Sequence, residues 1–129
     1  MDKEADNTHA YIDSNNWLVI ILGNKITRDD YLNLIAQVYD LALEIEEKNL
    51  LVKLLVDCTR LSVMEETVKE HIVKGTRDLQ FNKIASFGLD PKYVPILVRI
   101  FQETDISSSS IQDFKTQKEA EEWLMDIVT

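Results

Sequence analysis

The sequence predicts an α/β fold: a single domain in which about five strands form a mixed sheet covered by four helices. Apolar segments of strand length alternate along the chain with segments whose apolar residues recur at three- and four-residue spacing. The length of 129 residues suits one domain with its own core. We therefore expect the order β-β-α-β-α-β-α-β-α in one domain spanning residues 1–129, with residues 1–8 flexible.

The opening segment is predicted to form a β-hairpin followed by a long helix. Residues 10–12 and 17–22 are the two strands, and residues 14–16 are the polar turn between them. Thr27 then stands three residues before Asp30, a capping-box spacing that predicts a helix start. The helix should end near Lys48, and its core face should be formed by Tyr31, Leu34, Ile35, Val38, Leu41, Ala42 and Ile45.

The central segment is predicted to be a strand with both faces covered. Residues 50–56 are apolar except for Lys53, and the run stops at Asp57. Ser62 stands three residues before Glu65, which predicts a capping box and the start of the second helix.

The second half repeats the alternation of strand and helix. Residues 83–88 read as a strand that ends at a glycine, and Pro95 is expected to begin the third helix. Residues 111–114 fit a short edge strand, and the capping-box spacing of Thr116 and Glu119 predicts the last helix. Strands separated by helices are expected to pair in parallel.

The composition excludes some partners. Acidic residues outnumber basic ones 23 to 14, and a net charge of -9 argues against nucleic acid and anionic membrane surfaces. Cys58 is the only cysteine, so no internal disulfide forms and a cytoplasmic location is expected. The first ten residues are acidic where a signal peptide is basic, and residues 17–22 are too short to span a membrane.

No catalytic constellation, metal site or cofactor site is predicted. Cys58 has no second cysteine at CxxC spacing, so we interpret it as a small buried apolar side chain. His71 has no second ligand on its helix face and is read as a partly buried, hydrogen-bonded histidine. Asp57 ends the central strand, where it either binds the amides of the following turn or orients a ligand.

One apolar segment near Pro95 is a candidate surface for a ligand or partner. Two prolines bound or interrupt it, and a helix broken in this way can leave an opening over a sheet. Ordinary core packing is the alternative. The candidate residues in this segment are Tyr93, Ile96, Leu97 and Phe101.

Several short motifs carry a resemblance to a known family: residues 54–57, His71, residues 81–85, Phe114 and residues 119–124. Together with the predicted order of elements, they resemble the SpoIIAA-like family, bacterial relatives of the STAS domains (sulfate transporter and anti-anti-sigma antagonist) whose fold is grouped with CRAL-TRIO-like lipid-binding folds. The resemblance covers nearly the whole chain, and these motifs are typical of packing positions. The resemblance implies a STAS-like sheet.

The sequence departs from this family at its regulatory serine. Anti-anti-sigma STAS domains carry a phosphorylated serine, in a DSSG-like turn, at the start of the helix after the central strand. Here Glu65 and Glu66 occupy that place, so the phosphorylation switch is not carried over. Ser62 lies at a similar helix start, but it is expected to serve as the cap, and two acids beside it would oppose a phosphate.

The resemblance implies a regulatory or protein-interaction domain without catalytic activity. An unidentified protein partner is expected, and a homodimer is one form that the interaction can take. The alternative is a small-molecule or lipid-binding domain of CRAL-TRIO-like type that holds an apolar ligand. The candidate surface for a partner or ligand comprises Asp57, Ser62, Tyr93, Ile96, Leu97 and Phe101.

Overall fold

A computed structural model describes residues 8–78, 81–96, 99 and 110–125 of the chain. The first half contains β1 (His9–Ile12), β2 (Leu18–Ile21), β3 (Lys25–Ile26), α1 (Arg28–Glu47), β4 (Lys53–Asp57) and β5 (Val63–Met64). The second half contains α2 (Glu66–Asp78), β6 (Lys83–Phe87), a 3₁₀ turn (Pro91–Tyr93), α3 (helical at 94–96 and 99), β7 (Ile111–Phe114) and α4 (Gln117–Met125). The elements follow the predicted alternation.

The main sheet has five strands in the order β1-β2-β4-β6-β7. β1 and β2 are antiparallel, with His9 opposite Ile21 and Ile12 opposite Leu18, so the opening hairpin is confirmed. All later pairings in this sheet are parallel, because each crosses over through a helical segment. The prediction of a mixed sheet with β7 at its edge is confirmed.

Side-chain alternation along the strands divides the core into two layers. Leu54 and Ile84 point towards α1 and belong to the larger cluster, whereas Leu55 and Ala85 face α4. Lys53 interrupts the apolar run of β4 because its ammonium group donates to the Leu124 carbonyl of α4 at 2.5 Å. Its aliphatic stem therefore lies against the sheet while the charge is bound at a helix end.

The prediction that Leu50 and Leu51 belong to the central strand is wrong. They are 42% and 60% exposed, and β4 begins only at Lys53. The Leu50 amide donates to the Ile45 carbonyl, and Asn49 adopts a left-handed conformation with φ 60°. This is the Schellman arrangement that ends helices, so these residues complete the exit of α1 before the strand starts.

The capping box predicted at Ser62 is also wrong. Residues 63 and 64 form β5, which pairs in parallel with β3 through Lys25–Val63 and Ile26–Met64, and α2 begins only at Glu66. The Glu65 carbonyl accepts from the Val68 amide, so Glu65 stands at the start of the helix in place of Ser62. A two-residue strand is too short to show the alternation of apolar and polar residues that indicates a strand. This small sheet was therefore not predicted from the sequence.

The third helix starts earlier than predicted. Asp90 accepts from the Lys92 amide and caps the 3₁₀ turn that Pro91 begins, and helical residues follow directly from position 94. Pro95 therefore lies inside a first turn that Pro91 has already set up. Of the candidate residues in this region, Leu97 and Phe101 lie outside the described part of the chain.

The other two predicted caps are confirmed. Thr27 and Asp30 form a reciprocal capping box at the start of α1. Thr116 accepts from the Glu119 amide at 3.2 Å at the start of α4. In the predicted flexible segment, residues 1–7 lie outside the described part, while Thr8 accepts a hydrogen bond from the Gly23 amide. Within the described residues, we find no helix with the length and apolar character needed to cross a membrane.

Candidate functional site

Asp57 closes the turn that follows the central strand. Its Oδ1 accepts from the Thr59 amide at 2.9 Å and from the Thr59 hydroxyl at 2.6 Å. This is the turn-binding role, one of the two roles expected for an aspartate at a strand end. The carboxylate is therefore already engaged in holding the loop that leads to Ser62.

Ser62 joins three segments at the carboxyl end of the sheet. Its hydroxyl is exposed and lies within hydrogen-bond distance of the backbone and side-chain oxygens of Asn24. Its carbonyl accepts from Lys92 Nζ at 2.8 Å and from the Tyr93 hydroxyl at 3.0 Å. Ser62 thus ties the segment before β5 to the 3₁₀ turn, a role that depends on residues far away in sequence.

Cys58 is buried and unsuited to nucleophilic chemistry. Its side chain is 3% exposed, and burial raises the pKa of the thiol to about 12. The nearby carboxylates of Asp113 and Asp57 add to this rise, because a thiolate would be repelled by both. The thiolate is the reactive form of cysteine, so the interpretation of Cys58 as an inert core residue is supported.

His71 packs beside an aromatic ring. Its imidazole stacks on Tyr31 with ring centroids 6.0 Å apart, and the Tyr31 hydroxyl donates to the His71 carbonyl at 2.9 Å. Among the described residues, no group of three histidine, cysteine or acidic side chains is placed to hold a metal ion. The position of His71 is explained by its packing between α1 and α2.

An apolar cavity of about 170 Å³ lies between the sheet and the helices on the α1 side. Tyr93 and Ile96, two of the candidate residues, contribute to its wall. The sheet contributes Ile20, Leu54, Val56, Ile84, Ser86 and Ile111, while α1 and α2 contribute Tyr31, Leu34, Ile35, Val38 and Ile72. The described wall is completed by Ile26 of β3, Met64 of β5 and residues of the connecting segments: Leu22, Cys58, Leu61, Phe81 and Leu89.

α1 carries a second apolar stripe, which was not predicted from the sequence. Leu32, Tyr39 and Leu43 are 46%, 53% and 48% exposed, and Ala36 between them is exposed as well. Their spacing of four, three and four residues places them on one face, away from the buried face formed by Tyr31, Leu34, Val38 and Ile45. This spacing is visible in the sequence and could have revealed the stripe.

Comparisons with known proteins identify the fold. No family model and no curated protein matches the chain. Among solved structures, the anti-sigma factor antagonist SpoIIAA in its unphosphorylated form is similar with a TM-score of 0.57 and 14% sequence identity. The match covers 93% of this chain and 99% of that chain. The chain therefore has the α/β fold of SpoIIAA, the STAS fold, as the sequence resemblance implied.

Proposed function

We propose that this protein is a non-catalytic, cytoplasmic regulatory domain that acts by binding another protein. The STAS fold is compatible with this function, since SpoIIAA, whose solved structure is similar, is an anti-sigma factor antagonist. A fold alone does not establish a function. The observation that carries the proposal is the exposed stripe on α1, formed by Leu32, Ala36, Tyr39 and Leu43.

The stripe has the geometry of a helix-pairing seam. The spacing of four, three and four residues is that of the a and d positions of a coiled coil, which place apolar side chains on one line. α1 is 20 residues long, so it presents a rigid surface of about 30 Å. Tyrosine is enriched among the residues that dominate binding energy, and Tyr39 stands near the middle of the stripe.

An acidic row beside the stripe indicates the charge of the partner. Asp40, Glu44 and Glu47 are exposed and lie on the neighbouring face of α1. A partner helix with an apolar stripe flanked by lysine or arginine would match both rows, because opposite charges flanking a helix pair favour the correct partner. We therefore propose a basic amphipathic helix as the occupant of this surface.

A homodimer through the stripe is disfavoured by the same row. The acidic row would meet no basic row on a second copy, because Arg28 is the only basic residue of α1, and each copy already carries a net charge of -9. The cavity on the α1 side of the sheet is also too small for a whole lipid. The cavity of about 170 Å³ is smaller than the roughly 300–1,000 Å³ of pockets for drug-sized ligands.

Site-specific photocrosslinking in the source organism would test the proposal. A photoreactive amino acid is placed at Tyr39 in the stripe, at Ser62 in the loop, and at Glu122 on the exposed side of α4 as a control. We expect a crosslink from position 39 to a different protein, at a segment with a basic amphipathic pattern. A second copy of this chain, a crosslink from position 62 alone, or no crosslink from position 39 would contradict the proposal.

The affinity of variants for the crosslinked partner tests the stripe quantitatively. The double variant Tyr39→Ala with Leu43→Ala should weaken binding of the partner at least about tenfold. Because both side chains are exposed, the free energy of unfolding of this variant should stay within about 0.5 kcal/mol of the wild-type value. The matched control is Tyr11→Ala with Met125→Ala, which removes an exposed aromatic and an exposed aliphatic side chain elsewhere. Equal affinities of the two double variants, measured by calorimetry, would show that the stripe is not the interface.

A further inference from the structure

The geometry points to a binding site for one small, neutral, apolar molecule in the cavity between the sheet and α1. The volume of about 170 Å³ is far larger than one water molecule needs. The cavity is partly open to solvent, so its apolar lining is exposed to water unless a ligand covers it. The proposal is independent of the partner surface on α1.

The wall determines the chemical class of the ligand. Most of the described residues that line the cavity present only aliphatic or aromatic carbon. The three hydroxyl groups among them already donate within the protein: Tyr31 to the His71 carbonyl, Tyr93 to the Ser62 carbonyl, and Ser86 to the Asp113 carboxylate at 2.6 Å. A charged or strongly polar ligand would therefore lose its hydration without gaining matching bonds.

Water in the cavity gains few bonds from this wall, although the cavity is partly open to solvent. A buried water molecule requires two to four polar partners. Among the described residues, every buried side-chain nitrogen or oxygen already has a hydrogen-bond partner. None of them needs a water molecule to complete its bonding. An enclosed cavity of about 150 Å³ lined by leucine, isoleucine and phenylalanine binds benzene, which shows what size of apolar molecule such a volume accepts. We therefore expect a ligand of the size of benzene or indole, without a charged group.

The cavity also touches the loop that carries Ser62. Cys58 and Leu61 line it from the segment between β4 and β5, and the Tyr93 ring lines it while its hydroxyl holds the Ser62 carbonyl. A bound molecule would therefore contact the inner side of the same loop whose outer side is exposed. Filling the cavity should restrict the movement of this loop.

Toluene is the probe that tests the site in the full chain. We expect saturable changes in the methyl NMR signals of Ile20, Ile84 and Ile111, which line the cavity. The methyl signals of Val19 and Leu124, which pack on the opposite face of the sheet, should not change. Toluene should raise the melting temperature progressively with its free concentration L, since a ligand that binds only the folded state stabilises it by RT ln(1 + L/Kd). Phenol should bind at least about tenfold more weakly, because its hydroxyl must be desolvated.

A substitution that fills the cavity tests the site, and a substitution on the other face of the sheet is its matched control. Val56→Phe adds a ring on the cavity side of the sheet and should weaken toluene binding at least tenfold, whereas Ile21→Phe introduces the same ring on the α4 side and should not. Absence of saturable changes in the wild type, changes on both faces alike, or unchanged binding by Val56→Phe would overturn the proposal. If Val56→Phe does not fold, the proposal is tested by the toluene titration of the wild type and by the comparison of toluene affinity with phenol affinity.

Discussion

Cys58 should react with iodoacetamide about 1,000-fold more slowly in the folded protein than in the unfolded chain at pH 8. Burial raises the pKa of the thiol from 9.0 to about 12, a difference of three units. Below both values, each unit lowers the thiolate fraction about tenfold. The measurement compares the alkylation rate in buffer with the rate in urea, using a small thiol compound as the reference for the effect of urea.

The same shift predicts a dependence of stability on pH. Since the folded-state pKa is raised, the stabilisation is fully present below about pH 9 and is lost as the pH rises towards 12. The free energy of unfolding should fall by about 1.4 kcal/mol per pH unit in this window because of Cys58.

The Cys58→Ala variant separates this contribution from the other groups that titrate at high pH. It lacks the thiol, so the difference in stability between wild type and variant should shrink from pH 9 upwards. A constant difference up to pH 11, or equal alkylation rates in the folded and unfolded protein, would show that the thiol is not held in the neutral form.

Gly88→Ala should lower the free energy of unfolding by about 2 to 3 kcal/mol. Gly88 follows β6 with φ 73°, a left-handed conformation that disfavours residues with a Cβ atom. An added Cβ would also lie 2.5 Å from Cγ2 of Thr59 and 3.3 Å from its Cα. Because Thr59 is hydrogen-bonded to Asp57, the collision would disturb the loop between β4 and Ser62. Urea unfolding measures the effect.

A double variant separates the two causes at Gly88. Thr59→Ser removes the Cγ2 methyl but keeps the hydroxyl that binds Asp57, so it should relieve the closest contact and leave the cost of the left-handed backbone, about 1 to 2 kcal/mol. Thr59→Ser alone serves as the baseline. If Gly88→Ala is equally destabilising in both backgrounds, the collision with Thr59 is not a cause.

Features governed by neighbouring residues were predictable from the sequence. The Thr27 and Asp30 capping box, the β7 strand and the opening hairpin depend on spacings of a few residues, and the structure has each of them. The prediction at Ser62 failed although its spacing to Glu65 was correct. Pairing of β5 with β3 competes for the same residues, and a sequence pattern does not reveal a competitor about 38 residues away.

The candidate site was predictable only in part. Asp57 has the turn-binding role expected of an aspartate after a strand, because its partner Thr59 is two residues away. The apolar segment at Tyr93 and Ile96 was identified, but its apolar character did not show whether it fills the core or lines an opening. That distinction depends on how closely helices and sheet approach each other, which is a property of packing.

The sequence by itself determined the fold class, the order of the helices and of the five main-sheet strands, and the parallel character of the later strands of that sheet, since these follow from periodicity, local caps and the need to cover both sheet faces. Only the tertiary structure decided that Leu50 and Leu51 are exposed, that Ser62 binds Asn24 and that a cavity remains beneath α1. The physical reason is the distance along the chain over which each interaction acts. Local signals act within a few residues, whereas burial, cavity volume and partner choice depend on segments that meet only after folding.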